Sequence, residues 1–233
     1  MATRVMPEIV PLEMAEFTFA EDEPLAGQTG VVIAYLVRHA DGNLLFDTGF
    51  GIGNAELDAY YKPRARPVAD ALAAVGVAVS EVRAVVNCHL HVDHAGQNWV
   101  FPGVPTYVQP AEWEIAHTTE HTILEWIDYP GARYVQISGD HDLFDGIRVV
   151  ATPGHTRGHQ SLVVESNEGR TVLAGQALYT AGEWAGDPQA REGRSRAPDT
   201  AAYDRSIERL KALRPDRVMF GHDRAAWTAS PST

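Results

Sequence analysis

Short apolar runs separated by polar turns recur along most of the chain, and several of them predict strands. Residues 31–37 and 43–46 predict a hairpin around the turn dipeptide Asp41-Gly42. A second hairpin is predicted around residues 167–169. Other apolar runs have the length of buried strands and lie at 82–88, 104–108, 147–151 and 218–220. A short helix over the first of these runs stays open.

Three segments have helical spacing instead. Residues 67–75 predict a helix that ends near Gly76, and residues 110–117 predict one with proline in its first turn. Residues 200–213 predict the clearest helix, which is closed by Arg214-Pro215 and has an apolar stripe of Ala201, Ile207, Leu210 and Leu213. Residues 182–196, rich in glycine and charge, predict a loop or flap. The alternation of strands and helices indicates a mixed α/β fold.

Length and composition are typical of a globular protein. The chain has 233 residues, 45% of them hydrophobic, and no linker or low-complexity tract divides it. We therefore expect a single domain over residues 1–233. The formal net charge of −12 argues against strong binding of nucleic acid through a basic face. A homodimer is compatible with the sequence, which does not fix the oligomeric state.

The location of the protein is also constrained by what the sequence lacks. The first residues contain no apolar run of signal-peptide length, and no aliphatic stretch has the length of a membrane span. The single cysteine, Cys88, cannot form an internal disulfide, and its apolar surroundings predict a buried structural thiol. We expect a cytoplasmic protein that does not associate with membranes.

The segment from His89 to His94, with the sequence HLHVDH, carries the strongest chemical signal. It places four potential metal ligands within six residues, and imidazole and carboxylate together suit zinc or a similar first-row ion. Adjacent side chains diverge, so one ion could not bind all four well, whereas two neighbouring ions could. The following Ala95-Gly96 suits a close approach of the backbone.

Two further histidines come directly after predicted strands. His155 lies in a turn-rich segment after the run 147–151, and His222 follows the run 218–220. Proteins of the α/β class place ligand-binding groups at such strand ends, so both histidines are candidate metal ligands.

These motifs, in this order, resemble those of the metallo-β-lactamase superfamily of metal-dependent hydrolases. The resemblance runs from about Val31 to Asp223 and is closest to the N-acyl-homoserine lactonases. Residues 87–98 are similar to the first motif of that family, and residues 152–161 are similar to the second. Residues 174–180 are similar to a segment that carries a metal-bridging aspartate and, three residues later, a tyrosine. The resemblance implies an αββα sandwich.

The resemblance also implies the roles of individual residues. One metal would be held by His89, His91 and His155, and the other by Asp93, His94 and His222. The bridging position is occupied by Gln176, which departs from the family pattern because an amide is neutral. The expected cofactor is Zn²⁺, at one or two ions per chain, and other divalent first-row metals are compatible. Because one anionic ligand is missing, we expect the second ion to bind less tightly.

The implied function is the opening of a lactone or related ester by attack of a metal-bound hydroxide. An N-acyl-homoserine lactone, a small molecule involved in quorum sensing, is the expected substrate. Tyr179 would contact the substrate oxygen, and Asp93 is the second candidate catalytic residue. Gln176 cannot shuttle a proton, so either water, Tyr179 or Asp93 protonates the leaving oxygen or the reaction depends less on this proton transfer. A glyoxalase II-like thioesterase, another hydrolase on this scaffold and a non-catalytic metal-binding module remain alternatives.

Several residues close to these motifs have interpretations that stay open. Asp47 is either a turn residue or the hydrogen-bonding support of a ligand histidine, and Asp223 either orients His222 or solvates its loop. His159 is expected to have a structural role. His117 and His121 are four residues apart and would fit a metal only on a helix, so an exposed polar face is favoured. The aromatic residues nearby, Trp113, Trp126 and Tyr129, are core residues or a wall of the substrate pocket.

Overall fold

The strands of the protein form two mixed sheets. The computed structural model describes residues 6–23 and 25–230. Within these residues the first sheet contains β1 to β7, which are Glu8–Thr18, Thr29–Arg38, Asn43–Phe46, Arg64–Ala65, Val82–Val86, Pro105–Val108 and Arg133–Gln136. The second sheet contains β8 to β13, which are His141–Phe144, Ile147–Ala151, Gln160–Ser166, Gly169–Leu173, Arg217–Met219 and Trp227–Thr228.

The order of the strands combines hairpins with parallel pairs. The first sheet has the order β4-β1-β2-β3-β5-β6-β7, and the second has the order β13-β12-β11-β10-β9-β8. Strands β3, β5, β6 and β7 are parallel to one another, as are β11 and β12. Both predicted hairpins are confirmed, since β2 pairs with β3 and β10 pairs with β11 in antiparallel register.

The helices cover the outer faces of the two sheets. In the described residues they are α1 to α7, which are Ala55–Tyr61, Val68–Ala74, Pro110–Thr118, Leu124–Ile127, Ala181–Ala185, Glu192–Ser195 and Thr200–Ala212. None of the helices in the described ranges is long and apolar enough to cross a membrane.

Strand β2 shows how the layers are joined. Its residues are buried on both faces, and they alternate between two apolar clusters. Ile33 and Tyr35 pack toward the second sheet, whereas Ala34 and Leu36 pack with helix α2 on the outer face. Helix α7 covers the outer face of the second sheet, where Leu210 joins residues of β9 to β12. These layers form an αββα sandwich, as the resemblance implied.

Some predicted elements differ from the structure. Residues 182–196 were predicted to form a loop or flap, but they contain most of α5 and all of α6. Thr180 caps the start of α5, and a short charged segment forms the single turn of α6. Helix α7 packs through three residues of its predicted stripe, since Leu210 is buried and Ile207 and Leu213 pack against the same cluster. Ala201 is exposed instead, and Ala202, Tyr203 and Ser206 are buried near the start of the helix. Strand β1 is one of the longest strands, but the sequence did not predict it, because its polar residues interrupt the alternation of apolar and polar positions that is typical of a strand.

Candidate metal centre

The loop after β5 turns its ligand-type side chains in two directions. His91 accepts backbone hydrogen bonds from His94 and Ala95, so residues 91–95 form one tight turn. The turn lies against the loop after β3, where Gly51 N donates to the carbonyl oxygen of Val92. A Cβ on Gly96 would come within 2.2 Å of Gly51 N, so this approach requires glycine. This contact confirms the predicted close backbone approach.

The first group of ligand atoms consists of three imidazole nitrogens. His89 Nε2 lies 2.8 Å from His91 Nδ1, and His155 Nε2 lies 3.2 Å from each of them. His155 arrives from the loop after β9, in the other sheet. Three ring nitrogens cannot satisfy one another by hydrogen bonds, because each neutral imidazole carries only one N–H. A cation bound at their centre would give all three nitrogens a partner.

The second group contains Asp93, His94 and His222. His94 Nε2 lies 3.2 Å from His222 Nε2, and Asp93 Oδ2 lies 3.4 Å from the former and 3.6 Å from the latter. His222 follows β12, so this group also draws on both sheets. The two groups are adjacent, since the rings of His89 and His94 are 4.4 Å apart between centroids.

Spacing and electrostatics both fit divalent cations. Zinc–nitrogen bonds of about 2.0–2.1 Å place tetrahedral ligands about 3.3 Å apart, close to the observed separations. Burial and neighbouring histidines hold the pKa values of His89 and His155 well below the usual range, so their nitrogens have free lone pairs. Burial lowers the pKa of His94, but its neighbours Cys88, Asp93 and Asp47 together raise that pKa above its usual range, so the surroundings favour positive charge.

Groups behind the ligand rings fix their orientation. His94 Nδ1 donates to Asp47 Oδ2 over 2.9 Å, and His222 Nδ1 donates to the carbonyl oxygen of Val31 over 2.7 Å. Asp47 therefore holds the ring of the candidate ligand His94 and is not merely a turn residue, although it does adopt a φ of 65°. Cys88 is buried as predicted, and its Sγ lies 3.1 Å from His89 Nδ1, on the side away from the convergent nitrogens.

Gln176 and Tyr179 lie beside the two ligand groups. Gln176 is buried, and its Nε2 donates to the Tyr179 hydroxyl oxygen over 2.7 Å, while its Oε1 has no hydrogen-bond partner among the described residues. The Tyr179 ring stacks on His222 with centroids 5.0 Å apart. Burial raises the pKa of Tyr179, which therefore stays protonated. His159 has the structural role predicted for it, since its Nε2 accepts from Gln176 N.

A buried carboxylate that the sequence did not reveal joins the loops of the first group. Glu112 Oε1 accepts hydrogen bonds from Leu90 N at 2.8 Å and His121 Nε2 at 2.6 Å, and its Oε2 accepts from Thr156 Oγ1 at 2.5 Å. Leu90 separates His89 from His91, and Thr156 follows His155. Glu112 thereby holds the two ligand loops together.

The other open interpretations are also resolved by the geometry. His117 and His121 do not form a pair, because α3 ends at Thr118 and His117 contacts Asp128 instead. Asp223 does not contact His222 through its carboxylate, which accepts from Ala181 N and Ala225 N. Trp113, Trp126 and Tyr129 do not line the pocket beside the ligands; they pack on Tyr134, Gly51 and Phe101 respectively.

The metal-centre pocket has a volume of about 530 Å³ and opens beside both ligand groups. Its polar floor includes His91, Asp93, His155, Gln176, Tyr179 and His222. Its walls combine an apolar part, made by Phe17, Phe19, Phe50, Leu57, Tyr61 and Ile123, with charged and polar residues that include Glu23, Glu56, Glu120, His121 and Arg196. The sequence did not predict these walls, because they come from segments that are far apart in the chain.

Comparison with known proteins agrees with this geometry. Residues 27–222 match the model of the metallo-beta-lactamase superfamily. An N-acyl homoserine lactonase of a Bacillus species is 32% identical over 213 residues, which cover 82% of this chain and 81% of that protein. The N-acyl homoserine lactonase AttM of Rhizobium johnstonii is 32% identical over 220 residues, covering 83% of this chain and 82% of that protein.

Solved structures give the same result. A variant of AiiA from B. thuringiensis, with N-decanoyl-L-homoserine bound at the active site, has a TM-score of 0.78 and 26% identity, and the match covers 95% of this chain and 94% of that one. An N-acyl homoserine lactone hydrolase with N-hexanoyl-L-homoserine at its catalytic metal center has the same values. The chain therefore belongs to the metallo-beta-lactamase superfamily of metal-dependent hydrolases and, within it, to the N-acyl homoserine lactonases.

Proposed function

We propose that this enzyme hydrolyses N-acyl homoserine lactones by opening the lactone ring. The observation that carries the proposal is the pair of ligand groups at the floor of an apolar pocket. The relatives that bear this activity in their names support the same substrate class.

The proposed ligands follow the two groups of convergent atoms. His89, His91 and His155 would hold one divalent cation, and Asp93, His94 and His222 would hold the other. Gln176 would add its Oε1, which has no partner among the described residues. Zinc suits this set of nitrogen and oxygen donors. When bound, such cations supply Lewis acidity and lower the pKa of a coordinated water to about 7.

Tyr179 acts on the substrate oxygen in this proposal. Its hydroxyl oxygen accepts from Gln176 Nε2, so its own proton remains available for donation. Its raised pKa keeps the phenol protonated while the lactone carbonyl gains negative charge. A donor aimed at this developing charge stabilises the tetrahedral intermediate more than the ground state.

The proton transfers of ring opening require a second catalytic residue. Opening of the ring breaks the bond between the acyl carbon and the ring oxygen, and the departing oxygen must gain a proton. The attacking water loses one. We assign the transfer to Asp93, whose carboxylate belongs to the second group and lies within 4.8 Å of a ring nitrogen of His89 in the first, because the Gln176 amide does not titrate.

The walls of the metal-centre pocket suit an acyl chain. Phe17, Phe50 and Tyr61 lie within 6.1 Å of one another between ring centroids. Phe17 also lies 6.4 Å from His222, so the apolar wall begins beside the ligand groups. Burial of each methylene group against such a wall contributes about 0.8 kcal/mol, which favours longer acyl chains.

A substrate panel tests the proposal. Protein loaded with zinc should open N-hexanoyl and N-decanoyl homoserine lactones and should act weakly on aryl esters and glutathione thioesters. Treatment with a chelator should abolish the activity, and added zinc should restore it. Metal analysis should find one to two equivalents per chain.

Two variants connect the activity to the site. His89→Ala and His155→Ala should each abolish hydrolysis and retain the fold by circular dichroism. His117→Ala provides the matched control, because this histidine contacts Asp128 away from the pocket. Preferred cleavage of glutathione thioesters would instead favour the thioesterase, and activity in both ligand variants would contradict the assigned centre.

A further inference from the structure

Arg196 is a charged residue of the metal-centre pocket that the reaction described above does not use. It lies between α6 and α7, and its guanidinium is 5.2 Å from the Phe19 ring centroid and 5.9 Å from that of Tyr179. Its Nη2 donates to Glu23 Oε1 over 2.7 Å. The side chain therefore lies between the apolar wall and the tyrosine proposed to contact the substrate.

The other terminal nitrogen of Arg196 is unsatisfied. Its Nη1 is buried and has no hydrogen-bond partner among the described residues. Buried polar atoms nearly always have a partner in folded proteins, so an unpaired donor in a pocket marks a position for a ligand acceptor. A guanidinium has donors only, and the complementary group is therefore an oxygen acceptor.

The position of the guanidinium limits which substrate oxygen it can reach. The guanidinium lies over the rings of Phe19 and Tyr179, and Tyr179 is itself stacked on His222, so Arg196 lies one ring away from the ligand group that contains His222. The acceptor is thus a second oxygen, displaced from the reacting carbonyl toward Phe19 and the apolar wall. In an N-acyl homoserine lactone, the amide carbonyl lies between the ring and the acyl chain.

We infer that Arg196 is a specificity-determining residue that donates a hydrogen bond from Nη1 to the amide carbonyl oxygen of the substrate. This inference rests on the proposed function, since it concerns a second feature of the same substrate. It predicts that the enzyme distinguishes lactones with an acylamino substituent from lactones with a plain alkyl substituent.

The competing explanation is that Arg196 only joins two loops. Its partner Glu23 belongs to the segment between β1 and β2, and Glu23 Oε2 also accepts from Ala20 N. A purely structural role predicts that loss of either partner has the same consequence for every substrate. A recognition role predicts that loss of Arg196 matters only where the amide is present.

The test compares two lactones with zinc-loaded protein: N-decanoyl homoserine lactone and γ-dodecalactone, which has an alkyl chain but no amide. Arg196→Ala should raise KM for the acylamino lactone by about 10-fold to 100-fold, the range for loss of a hydrogen bond to a charged group. The KM for γ-dodecalactone and both kcat values should stay near those of the wild type.

Glu23→Gln is the matched control, because it removes the ion pair and leaves the guanidinium in place. It should retain the preference for the acylamino lactone. Equal losses on both lactones in Arg196→Ala, or no loss on either, would overturn the inference. Failure of the wild type to open either lactone would contradict the proposed function instead.

Discussion

The side-chain amide of Gln176 donates a hydrogen bond to the Tyr179 hydroxyl oxygen over 2.7 Å. In this arrangement the amide oxygen has no hydrogen-bond partner among the described residues, and the tyrosine proton is left for the substrate. A carboxylate at position 176 would reverse it, since a carboxylate accepts only and would take the tyrosine proton as its own hydrogen bond.

Gln176→Asp should raise the affinity for the second metal ion by at least about tenfold, or 1.4 kcal/mol. A carboxylate screens two dications from each other, whereas an amide oxygen offers only a dipole. Calorimetric titration of metal-free protein with zinc measures the change. Gln176→Ala, which removes the amide without adding charge, should not produce it. Unchanged affinities in Gln176→Asp would mean that position 176 is not a ligand position.

Tyr179→Phe should lower kcat by about 100-fold to 1000-fold, the usual effect of removing one donor to a developing oxyanion. KM should change little, because this donor acts mainly in the transition state. Steady-state kinetics with N-decanoyl homoserine lactone measure both constants. Metal content should equal that of the wild type. A fall in metal content would show that the tyrosine supports the ligands rather than the substrate.

Asp47→Asn should weaken metal binding at the group containing His94 by about 10-fold to 100-fold, as is usual when the group behind a ligand histidine is changed. Asparagine tolerates the left-handed backbone of this position, so the effect reports the lost charge and not strain. Competition with a chromogenic chelator measures the affinity. Asp223→Asn is the control and should bind metal normally, because Asp223 accepts only from backbone amides.

Glu112→Gln should lower the free energy of unfolding of the metal-free protein by about 1–3 kcal/mol, since three buried donors share this carboxylate. It should also weaken metal binding to His89, His91 and His155. Urea unfolding measures the first effect. Glu114→Gln, on an exposed position of the same helix, should leave both properties unchanged. Equal stability of the two variants would contradict the role assigned to Glu112.

The ligand-type residues could be predicted because the chemistry is concentrated in sequence. His89 to His94 lie in one loop, and His155 and His222 each follow a strand that hydrophobic pattern reveals. The αββα sandwich was predicted from the resemblance to the family, because the positions of apolar runs do not show which strands pair. The single domain over residues 1–233 stays a prediction.

The walls and supports of the site could not be predicted, because distant segments form them. Phe17 belongs to a strand whose polar residues mask its alternation, and Arg196 belongs to a segment that predicted only a loop. Glu112 looked like an ordinary charged residue of a helix. Glu112 is important because its buried carboxylate accepts hydrogen bonds from Leu90 and Thr156. These two hydrogen bonds exist together only after the two sheets have packed.

The loop of His222 is attached to strand β2 of the first sheet through its backbone carbonyl groups. Ile33 N donates to the carbonyl oxygen of Gly221, and the Tyr35 hydroxyl donates to the carbonyl oxygen of Phe220. During synthesis, this loop leaves the ribosome after every other ligand-bearing segment. On the proposed ligand assignment, the nascent chain would therefore lack a complete centre until β12 docks beside β11, and binding of a second cation would be one of the last events of maturation.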